Sequence, residues 1–503
     1  MSQNITVTKQ TLATKILDYI WPIARHELPK FLSITLLMFC ILFIQNLIRA
    51  TKDSIVNTMI GTEIIAFLKF WGVLPGAFLM TIIYVKLVGI MKAEKIFYVI
   101  MSSFLLFFAF FGFVVFPYHE ALHLSPELSA NLIAQLPNFK WFILLLSKWG
   151  FSLFYIIAEL WPNAVFALLF WQFVNKITNV DESKRFFILF GLLGQTGLYI
   201  SGKFLENLPR ISDYFIGRYN LSSDDISVEL TISVVTFFGI GALATFWMLN
   251  NKVLDKGAAD VKFTVKQKQM SIMESLQMVM SSRYIRLIAT LLICYGIAIN
   301  LVESPWKKQA ALLYPTRSAY YAFVGSYLSY TGIFTILFVL LGSNIVRRLG
   351  WFYAAIITPI MVFVTGGLFF AVSNFSNFSA FVVLSFALTD PATIAIIIGA
   401  INNVLSKSSK YTLFDSTKEM SYVPLPDELK SKGKAAADVV GTKLGKSMSA
   451  LLQSIIFMIF PHATYQSISG YLMVVFTVIC IVWIWAVVQL GKEYNAVLAK
   501  NVK

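Results

Sequence analysis

Twelve continuously apolar runs constrain this chain more than any other feature of it. They lie at about 31–49, 66–88, 96–117, 144–173, 186–203, 229–249, 285–303, 322–342, 352–372, 379–403, 437–460 and 467–490. A run of roughly 20 apolar residues, rising 1.5 Å per residue as an α-helix, crosses the ~30 Å hydrocarbon layer of a bilayer. The runs do not alternate apolar and polar residues, which excludes a transmembrane β-barrel. With 57% of its 503 residues hydrophobic and 13% charged, the chain carries about half the charge of a soluble domain. The expected fold class is an all-α polytopic membrane protein with about 12 transmembrane helices. The fourth run is long, and Pro162 is expected to kink or break it.

The basic residues set the orientation. Segments holding Lys92 and Lys95, Lys176 to Arg185, Lys252 to Lys268, Arg347 and Arg348, and Lys407 to Lys434 alternate with segments poorer in lysine and arginine. All of the basic ones fall on the side of the N-terminus, so both termini are expected in the cytoplasm. The first helix is expected to serve as an uncleaved insertion signal. A net charge of +15 then reflects topology and an anionic substrate, not a nucleic-acid surface.

The long central segment divides the runs six and six. The expected organisation is a cytoplasmic segment 1–30, an N-terminal six-helix bundle 31–249, a linker 250–284, a C-terminal bundle 285–490 and a tail 491–503. Asn46-Leu47-Ile48-Arg49 near the end of the first run echoes Asn300-Leu301-Val302-Glu303 near the end of the seventh, with opposite charges at the same offset. Such a 6+6 pseudo-repeat fits the major-facilitator plan, with a midplane site between the halves.

Charge inside apolar runs is costly, and it marks ion pairs or a watery path. On helical geometry Lys148, Ser152, Tyr155 and Glu159 share one face, Lys148 and Glu159 roughly 16 Å apart. Asn46, Arg49 and Lys52/Asp53 form a second stripe; Asn300, Glu303 and Lys307 a third; Asp438, Thr442, Lys446, Ser449 and Gln453 a fourth. Two stripes from each half predict a shared cavity with Arg49, Lys52, Lys148, Lys307 and Lys446 set against Asp53, Glu159 and Glu303. Dispersed lysines suit phosphate oxygens, and Tyr155, Trp161, Tyr295 and Trp306 could stack on a base. Gly191, Gly194 and Gly197, with Gly441 and Gly445, are expected to let helices approach closely.

Catalysis finds no support. Gly441-Thr442-Lys443-Leu444-Gly445-Lys446-Ser447 imitates a phosphate loop but is one residue short, with Val440 where the first glycine belongs. The four histidines are scattered, and Cys40, Cys294 and Cys480 lie far apart inside apolar runs. No enzyme, cofactor, metal or disulfide framework is implied.

Several of these stretches resemble one known family. They are Lys52-Asp53, Glu159-Leu160-Trp161, Phe170-Trp171-Gln172-Phe173-Val174-Asn175, Lys184-Arg185-Phe186, Asn300-Leu301-Val302-Glu303, Lys410-Tyr411-Thr412-Leu413-Phe414-Asp415-Ser416-Thr417-Lys418-Glu419-Met420 and Leu444-Gly445-Lys446-Ser447. The chain resembles the ATP/ADP translocases, or nucleotide transporters, of obligate intracellular bacteria and plastids, and the bacterial type most. The resemblance implies antiport of external host ATP for internal ADP across the bacterial inner membrane, by alternating access and without hydrolysis. It implies that Lys52, Glu159, Glu303 and Lys446 bind substrate, with Arg49, Lys148, Tyr155, Asn300 and Lys307 as further candidates. The expected partners are nucleotides and the lipid bilayer, and a monomer suffices. Pro162-Asn163, Ser304-Pro305 and Met448-Ser449 depart from the family's usual residues beside these positions. The alternatives are therefore other nucleotides (GTP/GDP, CTP, UTP) or proton-coupled nucleotide symport.

Overall fold

The computed structural model describes residues 23–219, 222–254, 272–375, 378–380, 382, 390–438, 441 and 445–501. Its long helices are α1 (Leu28–Met59), α2 (Ile64–Ile90), α3 (Ala93–Val115), α4 (Trp149–Ile177), α5 (Val180–Tyr219) and α6 (Ser223–Val253). The second set comprises α7 (Arg283–Leu313), α8 (Arg317–Val339), α9 (Arg347–Asn374), α10 (Pro391–Ser409), α11 (Gly445–Ile459) and α12 (Ser469–Asn501). Ten of them are long and apolar enough to cross a membrane; α10 and α11 are shorter, α11 lying within the eleventh expected run and α10 overlapping the tenth and running past its end. Regular secondary structure among the described residues is helical throughout, as the continuous apolar runs require.

Sequence-local chemistry sets the ends. Pro29 sits in the first turn of α1 and Pro391 in that of α10, where a missing N–H costs nothing. Ser222, Ser282 and Thr316 accept hydrogen bonds from the first-turn amides of α6, α7 and α8. Gly350, at φ +81°, breaks helical geometry just inside the start of α9.

Two expectations need correction. The fourth run is not one continuous helix from residue 144. The chain leaves helical geometry at Lys148 (φ −107°, ψ 42°), between a short helix Lys140–Ser147 and α4. Extrapolating one helix face from Lys148 to Glu159 therefore fails. Pro162 does not break the helix either. It has no N–H to offer the Ala158 carbonyl, and the helix widens into a π-helical stretch, Pro162–Phe170, before resuming.

Aromatic packing holds the first six helices together. Phe111 of α3 stacks on Phe154 of α4 at 4.1 Å, and Phe97 of α3 on Phe246 of α6 at 3.8 Å. The two sets of helices meet along α5 and α8 through bare backbone. A Cβ on Gly202 would stand 2.6 Å from the Ser329 amide nitrogen and 2.7 Å from the Gly325 carbonyl oxygen. Of the glycines expected to pack, Gly194 meets Met38, Gly197 meets Phe39, Gly441 meets Leu292 and Gly445 meets the Ile293 backbone, whereas Gly191 faces open space. The close approach of Gly202 and Gly325 joins helices from different halves.

One end of the seam is clasped. Asn57 donates to Tyr320 Oη at 2.9 Å, and Lys308 pairs with Glu63 at 3.0 Å. Arg317 pairs with Asp225 at 2.5 Å, its amide donates to Asp224 at 3.1 Å, and its guanidinium lies over Phe116 at 5.3 Å. At the opposite end the ion pairs Lys30–Glu182 (2.7 Å), Arg185–Glu27 (2.6 Å) and Arg283–Glu493 (3.3 Å) each stay within one set of helices.

Candidate functional site

Between the two sets of helices lies a chain of buried charge. Helix α1 supplies Arg49, Lys52 and Asp53; α4 supplies Glu159; α7 supplies Glu303 and Lys307. Lys52 Nζ sits 2.8 Å from Asp53 Oδ1 and 3.1 Å from Glu159 Oε2. Lys307 Nζ lies 2.9 Å from Asp53 Oδ2 and 3.3 Å from Glu303 Oε1. Arg49 Nη2 approaches the same Glu303 oxygen at 3.6 Å. The Lys52, Asp53 and Lys307 side chains are at most 5% exposed, whereas Arg49 and Glu159 are 37% and 31% exposed. A solvent-reachable rim thus sits on a closed ionic floor, and burying that floor is tolerable only because each charge is paired.

Two further cations complete the cluster, and sequence reasoning missed both. Lys69 lies in a π-helical stretch of α2, Leu68–Val73, and donates to Asn300 Oδ1 at 2.6 Å. Asn300 in turn donates to the Gly296 carbonyl. The signal was a lysine inside the second apolar run, which holds Lys69 and, near its end, Lys86, since intramembrane charge is rare. Lys407, expected in a basic cytoplasmic segment, instead lies within α10, only 12% exposed and 3.8 Å from Glu303 Oε1. Its place at the end of an apolar run made it look interfacial. Five cations (Arg49, Lys52, Lys69, Lys307, Lys407) then face three carboxylates (Asp53, Glu159, Glu303), a formal excess of two positive charges.

Aromatic faces support the lysines. Lys52 Nζ lies 4.0 Å from the centre of the buried Tyr155 ring, and Lys407 Nζ lies 5.1 Å from that of Tyr327. Tyr155 is one helical turn before Glu159, so α4 presents both the carboxylate and the ring to Lys52. Trp161, Tyr295 and Trp306 are buried in protein packing: Trp161 donates to the Ile41 carbonyl, Trp306 to that of Ile396, and Tyr295 stacks on Phe414 at 4.9 Å. They belong to the core and are not free to stack on a base.

Other expected residues lie elsewhere. Lys148 is at the break before α4, beside His123, whose imidazole is pushed down to about 4 by burial first and by the Lys148 charge second. The Gly150 amide donates to His123 Nε2 at 3.2 Å. Asp438 ends a separate helix, Asp427–Asp438, and faces Lys418 at 3.4 Å. Thr442 and Lys443 lie outside the described residues. Lys446 is in the first turn of α11, and its side chain lies outside the described part. Ser449 and Gln453 are buried in a relay in which Gln453 donates to Ser449 Oγ at 3.0 Å and accepts from Tyr465 at 2.7 Å.

A buried, net-cationic cluster thus lies between the two sets of helices. A family profile described as TLC ATP/ADP transporter matches residues 6–494. The chain belongs to the TLC ATP/ADP transporter family. This is a family of membrane carriers and not of enzymes. Relatives named ADP,ATP carrier protein 4 are similar over nearly the whole chain. That of Rickettsia conorii is 68% identical over 485 residues, covering 96% of this chain and 95% of its own; that of Rickettsia prowazekii is 66% identical over the same length and shares. An ADP,ATP carrier protein 3 of Rickettsia bellii is 44% identical over 511 residues, covering 97% of this chain and 98% of its own. Among solved structures, a mutant of the nucleoside transporter NupG aligns with TM-score 0.60 at 9% identity, over 92% of this chain and 99% of its own. A D-xylose-proton symporter aligns with TM-score 0.53 at 12% identity, over 92% and 97%. At such identities these structures establish the fold, which is that of the major-facilitator transporters.

Proposed function

We propose that this TLC-family carrier exchanges external ATP for internal ADP across a bacterial inner membrane, by alternating access and without hydrolysis. The observation that carries the reading is the net-cationic cluster where α1, α4, α7 and α10 converge, because polyphosphate oxygens are the natural counter-charge for dispersed lysines. The names of the 65–68% identical relatives point the same way.

In this reading Lys52 and Lys446 neutralise phosphate, with Arg49 contributing from the exposed rim. Glu159 and Glu303 hold the cations while no substrate is bound, and arriving phosphate takes over their place. The two six-helix halves, 31–249 and 285–490, rock about the α5–α8 glycine seam as a monomer. With both termini cytoplasmic, the clasp at Asn57–Tyr320, Glu63–Lys308 and Asp225–Arg317 closes the external side, so this conformation faces inward. Exchange is obligate because an unbalanced, buried cationic site resists closure until an anion fills it.

Counterflow in proteoliposomes preloaded with ADP tests the reading. Labelled ATP uptake should require internal nucleotide, persist with an uncoupler, and be competed most strongly by ADP. Uptake that collapses with an uncoupler, or competition led by GTP, CTP or UTP, overturns the ATP/ADP assignment.

A further inference from the structure

Among the described residues, some of the buried polar atoms without a hydrogen-bond partner lie on the helices that build the charge cluster. They include Gln45 Oε1 of α1, Tyr155 Oη of α4, Glu303 Oε1 of α7, and Asn403 Oδ1 and Lys407 Nζ of α10. Such atoms are rare in folded proteins, because each costs its full desolvation energy. Those on α1, α4, α7 and α10 share the helices that bring Arg49, Lys52, Glu159, Glu303 and Lys407 together.

Lys407 stands out within this set. Asp53 and Glu159 hold Lys52, Asp53 holds Lys307, and Asn300 holds Lys69, all at 3.1 Å or less. Among the described residues, Lys407 has the Glu303 oxygen at 3.8 Å and the flat face of Tyr327. That oxygen is already approached by Lys307 at 3.3 Å and Arg49 at 3.6 Å. One helical turn before Lys407, Asn403 donates to the Gly399 carbonyl and leaves its own carbonyl oxygen unpaired.

We propose that Lys407 is a phosphate ligand of this carrier, supplied by the C-terminal half, and that it senses how many phosphates the nucleotide carries. The proposal rests on the nucleotide reading above and adds a residue and a role to it. A terminal phosphate oxygen entering between Lys407 and Glu303 gives Nζ its hydrogen bond. It also supplies Arg49 and Lys307 with an anion in place of the carboxylate. A nucleoside monophosphate, held through its single phosphate by Lys52 near α4, lacks the further phosphates that would engage Lys407.

The test uses the full-length protein, purified and reconstituted, as wild type, Lys407→Met and Lys407→Arg. Competition by ATP, ADP, AMP and adenosine is measured, together with the melting temperature with and without each. Lys407→Met should weaken ATP about tenfold or more while changing AMP less than about twofold, the scale of one charge-assisted hydrogen bond. It should also leave the ligand-free melting temperature unchanged or raised, because an unpaired buried cation has been removed. Lys407→Arg should keep most of the preference for ATP over AMP.

A purely structural Lys407 behaves differently: Lys407→Met would melt earlier and lose ATP and AMP affinity alike, and that result overturns the proposal. A wild type that exchanges ATP for ADP while Lys407→Met keeps the wild-type ATP-to-AMP ratio overturns this proposal alone. A wild type that none of the four compounds stabilises overturns the nucleotide reading, and this proposal with it.

Discussion

The two halves build their charges on matching helices with the signs exchanged. In the first half, a cation on α1 (Lys52) meets a carboxylate on α4 (Glu159) at 3.1 Å; in the second, a carboxylate on α7 (Glu303) meets a cation on α10 (Lys407) at 3.8 Å. Arg49 and Asp53 on α1 likewise face Glu303 and Lys307 on α7, at 3.6 and 2.9 Å. The inversion lets like positions attract across the pseudo-twofold axis, where identical charges would repel. The tightness differs as well. Asp53 bonds two buried lysines at 2.8 and 2.9 Å, whereas Glu303 draws three cations that all stay at 3.3 Å or beyond. In the proposed function the Asp53 side is framework, and the Glu303 side is where an incoming anion competes.

Breaking the framework side should have the largest effect. Asp53→Asn removes the nearest carboxylate from both Lys52 and Lys307, leaving them Glu159 at 3.1 Å and Glu303 at 3.3 Å, and should cost about 3–5 kcal/mol, read as a lower melting temperature of the purified protein. The exchanged pair Asp53→Lys with Lys307→Asp should recover part of that loss. Unchanged melting in the single variant would show that Asp53 holds nothing.

On the loose side the balance tips toward transport. Glu303→Gln should lower counterflow by more than about tenfold, with a smaller change in melting than Asp53→Asn, since its partners are distant and part of the rim is wet. Equal damage to melting from both variants would erase the distinction between framework and working carboxylate.

The smallest effect belongs to a lysine outside both sides. Lys148→Met should leave exchange within about twofold of wild type, because Lys148 lies at the break before α4 beside His123. The His123 imidazole is depressed to about 4, so in the window between its ordinary ~6.5 and about 4 the unfolded chain binds a proton that the folded chain refuses. Stability contributed by neutral His123 is therefore lost as pH falls through that window. Removing Lys148 raises the folded value and should shrink this acid loss, measured as melting temperature against pH. A large transport defect would instead return Lys148 to the cleft.

Much of the site was legible because burying a charge in an apolar run is expensive whatever the fold. That single cost singled out Arg49, Lys52, Asp53, Glu159, Glu303 and Lys307, and the structure brings all six together. Lys69 obeys the same rule, but its run also holds the exposed Lys86, and sequence alone does not say which of the two turns inward. Lys148 shared the helical spacing but not the helix, since periodicity assumes an unbroken backbone and the chain breaks at that residue. Trp161, Tyr295 and Trp306 show a converse limit. Residue type says that a ring can stack, and only packing says against what.

The sequence by itself determined the all-helical membrane class, through runs that can satisfy their backbone in lipid only as helices, and the opposite charges at matching offsets in α1 and α7. Tertiary structure alone decided that those offsets meet, that Lys407 turns inward to Glu303, and that Asp53 is shared by two lysines at 2.8 and 2.9 Å. The reason is physical. Hydropathy depends on each residue and its neighbours along the chain, whereas a pairing 254 residues apart depends on where two helices cross.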